Sequence, residues 1–284
     1  DQYLAVVEHG QIKKLKDVDE IRNVAVDWVG GNVVISVGAN GFWQTDAAPS
    51  HLPGIYLCTV DALHCRRIIQ GRSGKPDGKV GQGYRGLAVN SLLGLVAWVD
   101  VNSETERIMM ANLNGSGVVT VVDQNVRYPG GIAFDIVKNE IYFGLWYSRS
   151  IEKVNLESGR RTTVARAVGC PVSLAYFDNR IYWTDLTTES VRSASTVGQL
   201  PSTPRFLYAS PDHNPYGLEV YHNVYGIVVN HSLAQPSLRP NPCDAAACPW
   251  MCVVVRVRDD VYDSSAALEA RCVHPDEDED NQDL

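Results

Sequence analysis

A repeat with a period in the low forties constrains this 284-residue chain more than any other feature of its sequence. Four segments combine two short apolar runs with a turn, and the first half of the pattern returns a fifth time. The runs are rich in β-branched and aromatic residues and show no helical periodicity. A strand-built repeat of this length is typical of β-propeller blades. Intervals of 63, 45, 42 and 44 residues separate the aligned apolar positions Val24, Leu87, Ile132, Leu174 and Leu218.

Each repeat divides into four strand-like runs. The unit that begins at Gly131 reads GIAFD, EIYFG, SIEKVNL and RTTVA, with turn residues between the runs. This pattern predicts a small four-stranded antiparallel sheet. The first interval exceeds the others by about 20 residues, and the excess lies around VGANGFWQTDAAPSHLPG. We interpret the excess as a loop insertion, with a degenerate blade as the alternative.

In the stretch IYWTD, two aromatic residues are followed by a threonine and a carboxylate. That carboxylate could be an active-site acid or a structural hydrogen-bond acceptor. The number of copies separates these two roles. The same slot holds AWVD from Ala97 and, more loosely, IYFG from Ile141. A residue pattern that recurs in most repeats is predicted to be structural. The four positions of the motif are Tyr182, Trp183, Thr184 and Asp185.

IYWTD, preceded by a P-x-S-L-A run and recurring at this period, resembles the YWTD propeller of the low-density lipoprotein receptor family. In that family an EGF-like module follows the last blade. Here Cys243, Cys248 and Cys252 lie in PCDAAACPWMC and Cys272 follows, which is similar to the start of such a module. The resemblance covers most of the chain, from about Tyr3 to Cys272.

The resemblance implies an all-β fold with three parts. A YWTD-type β-propeller would occupy residues 1–236, with six blades by family and five units countable in the sequence. An EGF-like module would occupy residues 237–275, and an acidic disordered tail residues 276–284. The family pattern also implies that QYLAVVEHGQIKKLK and GLEVYHN close the last blade from both chain ends.

The seven cysteines indicate a disulfide framework and an extracellular compartment. A cysteine metal site would need C-x-x-C pairs, and the sequence contains none. Cys58 and Cys65 flank a predicted hairpin between third and fourth strands, so we expect a disulfide across it. Cys170 is predicted to be a free, buried thiol, with a bridge to another chain as the alternative.

The EGF-like resemblance implies two further disulfides in the C-terminal segment. These would join Cys243 to Cys252 and Cys248 to Cys272. His274 stands where the fifth cysteine of a complete module would fall, so the third disulfide is absent. A module this small needs support, and we expect it to lean on the propeller.

Charge and motifs exclude several functional classes. The net charge is −8, but without the six acids of the tail it is about −2, and no basic stripe suggests nucleic-acid binding. No G-x-S-x-G elbow, P-loop or dinucleotide fingerprint is present. Asp27, Asp135 and Asn90 fall on inner strands, where a metal-dependent hydrolase would carry its ligands. We expect these three to bind loop N–H groups instead, and predict no enzyme activity, cofactor or metal.

Several residues are candidates for contact, acid response or modification. Loop aromatics are the best signal for a partner, since Trp and Tyr are enriched at binding hot spots. Histidine titrates between extracellular and endosomal pH, and Asn-x-Ser triplets are glycosylation sequons. The ligand-binding candidates are Trp43, Trp146 and Tyr147, the acid-response candidates are His213 and His222, and the sequons lie at Asn114 and Asn230.

The resemblance implies a non-enzymatic recognition domain of a lipoprotein-receptor-like protein at the cell surface. Such a domain would bind a protein ligand of the lipoprotein, yolk, growth-factor or matrix class, for endocytic uptake or co-receptor signalling. A folding chaperone and a parent single-pass membrane receptor are also implied. The first alternative is a secreted matrix or adhesion protein, as nidogen-like propellers are, and the second is a propeller hydrolase.

Overall fold

Over the residues it describes, the computed structural model is all-β apart from one short helix. Among the described residues, the strands form four four-stranded antiparallel sheets and two two-stranded ones. The described residues are 3–8, 11–17, 21–38, 53–60, 64–71, 83–101, 105–209, 235–236, 238, 240–257, 262 and 267–274.

The elements follow one another in the order of the sheets. A two-stranded sheet comes first, with β1 (Tyr3–Glu8) and β2 (Gln11–Asp17). The first blade holds β3 (Ile21–Asp27), β4 (Asn32–Val37), β5 (Gly54–Thr59) and β6 (Cys65–Gln70). The second holds β7 (Gly83–Asn90), β8 (Leu95–Val101), β9 (Glu106–Asn112) and β10 (Val119–Val122).

The third blade holds β11 (Pro129–Asp135), β12 (Glu140–Leu145), β13 (Ser150–Asn155) and β14 (Arg161–Arg166). The fourth holds β15 (Pro171–Phe177), β16 (Arg180–Asp185), β17 (Ser190–Ser195) and β18 (Arg205–Ala209). The C-terminal segment holds α1 (Pro242–Ala246), β19 (Met251–Arg256) and β20 (Leu268–Val273).

The pairing register corrects one sequence alignment. Ile132 pairs with Phe143 between β11 and β12, as the equivalent residue of β15 pairs with Trp183. Tyr142 therefore occupies the first position of the four-residue motif, and the prediction that IYFG from Ile141 fills this slot is wrong by one residue. The offset matters because adjacent residues of a strand face opposite sides of its sheet.

The described residues of the long first interval of the repeat form one sheet. β4 and β5 are paired neighbours, with Val34 opposite Leu57. The extra length lies in the connections 38–53 and 71–82, which are longer than their equivalents in later blades. This arrangement favours an insertion over a degenerate blade. Residues 39–52 and 72–82, which make up most of these connections, lie outside the described part of the chain.

The chain divides into two compact units. The first comprises residues 1–105, 109–120 and 237–284, and the second comprises residues 106–108 and 121–236. The C-terminal segment thus belongs with the first blades rather than standing alone. GLEVYHN, which the family resemblance assigns to blade closure, lies outside the described residues, so that closure and the domain boundaries stay predictions.

The first unit has a core shared by blades and C-terminal segment. β19 is buried along its whole length. Its residues Met251, Val253 and Val255 belong to one apolar cluster with Leu57 of the first blade and Trp98 of the second. The small C-terminal module is therefore stabilised largely by apolar surface that the blades provide.

The second unit is organised around Trp183. This side chain is fully buried, and its indole N–H donates to the carbonyl oxygen of Val168 over 3.3 Å. Tyr142 and Ile151 of the third blade lie in the same cluster. The motif tryptophan therefore fills the space between the third and fourth blades.

Three disulfides are present. Cys58 and Cys65 lie directly opposite each other on β5 and β6 and are bonded. Cys170, expected to be buried, is half-buried and is not in a disulfide within the chain. The C-terminal segment contains the bonds Cys243–Cys252 and Cys248–Cys272. The first pair is the one expected across the hairpin, and the other two are those that the family resemblance implied.

Candidate recognition surface

The motif carboxylate of Asp185 is a structural acceptor in this molecule. It is fully buried, and its Oδ1 accepts the backbone N–H groups of Cys170 at 3.1 Å and Thr187 at 2.9 Å. Its Oδ2 accepts from Arg192 Nη1 at 3.1 Å. Both oxygens are used, so the carboxylate holds two loops and one arginine rather than facing a substrate.

The inner-strand polar residues also cap turns. Asp27 accepts the N–H of Gly30 at 3.2 Å and the amide of Asn32 at 2.8 Å, and burial raises its pKa. Asp135 Oδ1 accepts the N–H groups of the turn that follows it, at 3.0 and 3.1 Å. Asn90 Oδ1 accepts an N–H of its own turn at 3.2 Å. Across the described residues, no group of three or more His, Cys, Asp and Glu could hold a metal ion.

An exposed cluster of aromatic and arginine side chains lies at one end of the third blade. Tyr147 is 65% exposed, and the guanidinium carbon of Arg127 lies 4.4 Å from the centre of its ring. Tyr128, next to Arg127, is 49% exposed. We call Arg127, Tyr128 and Tyr147 the recognition surface. Its two loops meet at one end of the sheet because Pro129 pairs with Leu145.

The backbone beneath the recognition surface is held by several hydrogen bonds. The N–H of Tyr128 donates to Glu106 Oε2 at 2.7 Å, and its carbonyl accepts the N–H of Trp146 at 3.0 Å. Arg161 donates to the carbonyl oxygens of Gln124 and Asn125 in the same loop. Contacts on both sides of Arg127 therefore fix the loop that presents it.

Trp146 has a different role from its neighbour Tyr147. The side chain of Trp146 is half-buried, and its indole N–H donates to the carbonyl oxygen of Pro171 at 2.8 Å. Both residues are ligand-binding candidates by sequence. In the structure only Tyr147 projects its ring to solvent, while Trp146 ties the loop to the fourth blade.

Sequence reasoning missed Arg127 and Tyr128. Both lie in the connection from β10 to β11, outside any aromatic run. A usable signal was present, because in an antiparallel sheet the loop before the first strand and the loop after the second lie at the same end. That rule places the segment before Pro129 beside Tyr147.

Of the remaining predicted site residues, only Asn114 lies in the described part of the chain. Trp43, His213, His222 and Asn230 lie outside the described residues. Asn114 lies in the turn between β9 and β10, where its Oδ1 accepts from the backbone N–H of Ser116 at 3.1 Å and from its hydroxyl at 2.9 Å. Its glycosylation stays a prediction.

The fold and its motif together define a class of protein. Four-stranded antiparallel blades, a YWTD motif in the second strand and a disulfide-bonded C-terminal segment are the features of a YWTD β-propeller. Residues 94–136 match the family model described as "Low-density lipoprotein receptor repeat class B". The matched range begins at β8 and runs into β11, so it joins parts of two successive blades. The resemblance to the low-density lipoprotein receptor family is confirmed.

The relatives are receptors of larger size. The vitellogenin receptor Yl of Drosophila melanogaster is 26% identical over 247 residues, which cover 87% of this chain and 11% of that protein. The vitellogenin receptor of Solenopsis invicta is 23% identical over 235 residues, covering 82% and 11%. The chain thus spans about a tenth of the length of these homologues.

A solved structure supports the fold independently. The crystal structure of a nidogen/laminin complex matches with a TM-score of 0.54 and 19% identity, over 66% of this chain and 65% of that chain. This likeness bears on the fold alone. In the part of the chain that the structure describes, no helix is long and apolar enough to cross a membrane.

Proposed function

We propose that this chain is a non-enzymatic, extracellular protein-recognition domain of a cell-surface receptor, and that the recognition surface docks a protein ligand of the yolk class. One observation carries the proposal: Arg127 lies over the exposed ring of Tyr147 on loops that are already fixed. The names of the vitellogenin receptors support the ligand class. Uptake of the ligand by endocytosis is part of the same proposal.

The chemistry of the recognition surface suits protein binding. Tyrosine and arginine are enriched among residues that dominate interface energies, because they bury a large area and form directional polar contacts. The hydrogen bonds to Tyr128 and to the loop at Asn125 hold the backbone before a ligand arrives. A pre-ordered surface loses less conformational entropy on binding.

Binding of purified vitellogenin to the immobilised chain, measured by surface plasmon resonance, tests the proposal. We expect Tyr147→Ala and Arg127→Ala each to weaken binding by at least about tenfold. Val137→Ala is the matched control, because Val137 is 87% exposed at the opposite end of the same sheet. Absence of vitellogenin binding, or equal losses in the control, would contradict the proposal.

A further inference from the structure

The fourth blade contains a polar pocket remote from the Arg127 and Tyr147 loops. Its volume is about 460 Å³. It lies where the connection between β17 and β18 crosses the end of the fourth sheet. The recognition surface lies instead on loops of the third blade, before β11 and after β12. Its lining residues are Arg180, Ser195, Gln199, Pro201, Ser202, Thr203 and Arg205.

The strand register brings two arginines to one face of this sheet. Arg180 of β16 lies opposite Ser195 of β17, and Arg205 of β18 lies opposite Ser193. Residues paired across neighbouring strands share a face, and so do residues two apart in one strand. Both guanidinium groups therefore rise from the same face, one on each side of β17.

Neither of these arginines has an acidic partner among the described residues. Arg180 Nη2 donates to the hydroxyl of buried Ser193 at 2.7 Å, which positions its guanidinium group, and Arg205 is exposed. Two neighbouring arginines differ, since Arg161 pairs with Glu152 and Arg192 pairs with Asp185. The pocket lining contains no carboxylate.

The rest of the pocket lining is held by hydrogen bonds and carries neutral polar groups. The N–H of Ser202 donates to the carbonyl oxygen of Val164 at 2.8 Å. The hydroxyl of Ser202 donates to the carbonyl oxygen of Ser195 at 2.7 Å. Thr203 and Gln199 add a hydroxyl and an amide to the lining. The site therefore combines two positive charges with the neutral donors of Thr203 and Gln199.

We propose that this pocket binds a phosphate monoester. Two unpaired guanidinium groups carry a charge of about +2, which matches the charge of −1.5 to −2 that a phosphate monoester carries at neutral pH. Arginine binds phosphate oxygens with two parallel N–H donors. A ligand with a single carboxylate would neutralise only half of the positive charge of the pocket. The source is either a phosphorylated side chain of a protein or a small free phosphate. This proposal does not depend on the ligand of the recognition surface.

Isothermal titration calorimetry with the full chain at low ionic strength tests the pocket. The probes are a phosphoserine peptide, the same peptide without phosphate, inorganic phosphate and acetate. We expect the phosphoserine peptide to bind more tightly than its unphosphorylated form, and phosphate more tightly than acetate. If the peptide binds more tightly than inorganic phosphate, the group is protein-borne. If the two are equal, it is a free anion.

The variants separate the pocket from general charge effects. Arg205→Gln carries the test, because the side chain of Arg205 is exposed, whereas Arg180 bonds a buried hydroxyl. We expect Arg205→Gln to weaken phosphate binding by about tenfold. The control is Arg166→Gln, an exposed arginine of β14 outside the pocket, which should bind as the wild type does. No phosphate binding, equal binding of acetate, or equal loss in both variants would overturn the proposal.

Discussion

At the scale of single residues, Tyr142 shows how a buried polar group is held in a blade. Its hydroxyl donates to Glu140 Oε2 at 3.0 Å, and the same oxygen accepts from Lys153 Nζ at 2.9 Å. Burial raises the pKa of Tyr142 far above its ordinary value of 10.0, and the Glu140 carboxylate raises it further. The folded protein therefore strongly favours the protonated phenol.

Tyr142 should make the fold sensitive to alkali. Because its folded pKa is raised, its contribution is complete below the unfolded pKa and is lost as pH rises towards the folded pKa, at about 1.4 kcal/mol per pH unit. We expect Tyr142→Phe to reduce the fall in melting temperature between about pH 8 and about pH 11. Some of the fall should remain, because burial also raises the pKa of Tyr84 and Tyr176.

Circular dichroism melts across this pH range make the comparison. Tyr147→Phe, at an exposed position, is the control and should behave as the wild type does. Equal slopes for wild type and Tyr142→Phe would show that the buried phenol does not contribute to alkaline unfolding.

Residue roles could be predicted only where the repeat made them visible. The structural role of Asp185 follows from a pattern that occurs in several units, and the hydrogen bonds agree with it. Arg127 has no counterpart in such a pattern, so only the strand order, and no motif, points to it. Its position depends on two loops that are distant along the chain and adjacent in space.

At the scale of elements, the contact between the β7–β8 turn and β19 depends on one glycine. Gly94 has a positive φ of 64°, and a Cβ placed on it would lie 1.7 Å from the carbonyl oxygen of Val254. The turn therefore approaches the backbone of β19 more closely than any side chain allows. Gly94 couples the second blade to the C-terminal segment within the first unit.

Replacement of Gly94 should destabilise the fold by more than its positive φ alone would cause. Gly159 is the matched control, because its φ is 65° and nothing lies within 4 Å of a Cβ placed there. We expect Gly159→Ala to lower the free energy of unfolding by about 1 kcal/mol, and Gly94→Ala by about 2 kcal/mol more. Urea unfolding curves measure both. Equal effects would mean that β19 shifts away from the turn without cost.

Most elements could be predicted from the sequence, because period-2 apolar runs between turn residues specify short strands. The alignment of IYFG at Ile141 was wrong by one residue because neighbouring apolar residues, Ile141 and Tyr142, satisfy the pattern equally well. Only the pairing of Ile132 with Phe143 settles which one occupies the slot.

At the scale of the whole molecule, disulfides tie the C-terminal segment together. Cys243–Cys252 joins α1 to β19, and Cys248–Cys272 joins the segment between them to β20. The apolar side chains of β19 pack among the first blades. The pairs followed from a family resemblance, whereas the shared core did not, since no local pattern marks which blade residues meet β19.

Peptide mapping of the unreduced chain tests this framework chemically. We expect three disulfide-linked peptide pairs and one alkylated thiol at Cys170, and a mass increase of six hydrogens on reduction. A disulfide-linked dimer through Cys170, visible on a non-reducing gel, would show a bridge to another chain. Seven free thiols in protein from the secretory pathway would contradict the extracellular assignment.

The central claim is that a protein ligand docks on Arg127, Tyr128 and Tyr147. Hydrogen–deuterium exchange of the full chain, with and without saturating vitellogenin, measures this most directly, because a docked protein slows exchange of the amides that it covers. The account predicts protection confined to residues 123–128 and 146–149. Unchanged exchange in both segments, or protection only elsewhere in the chain, would contradict it.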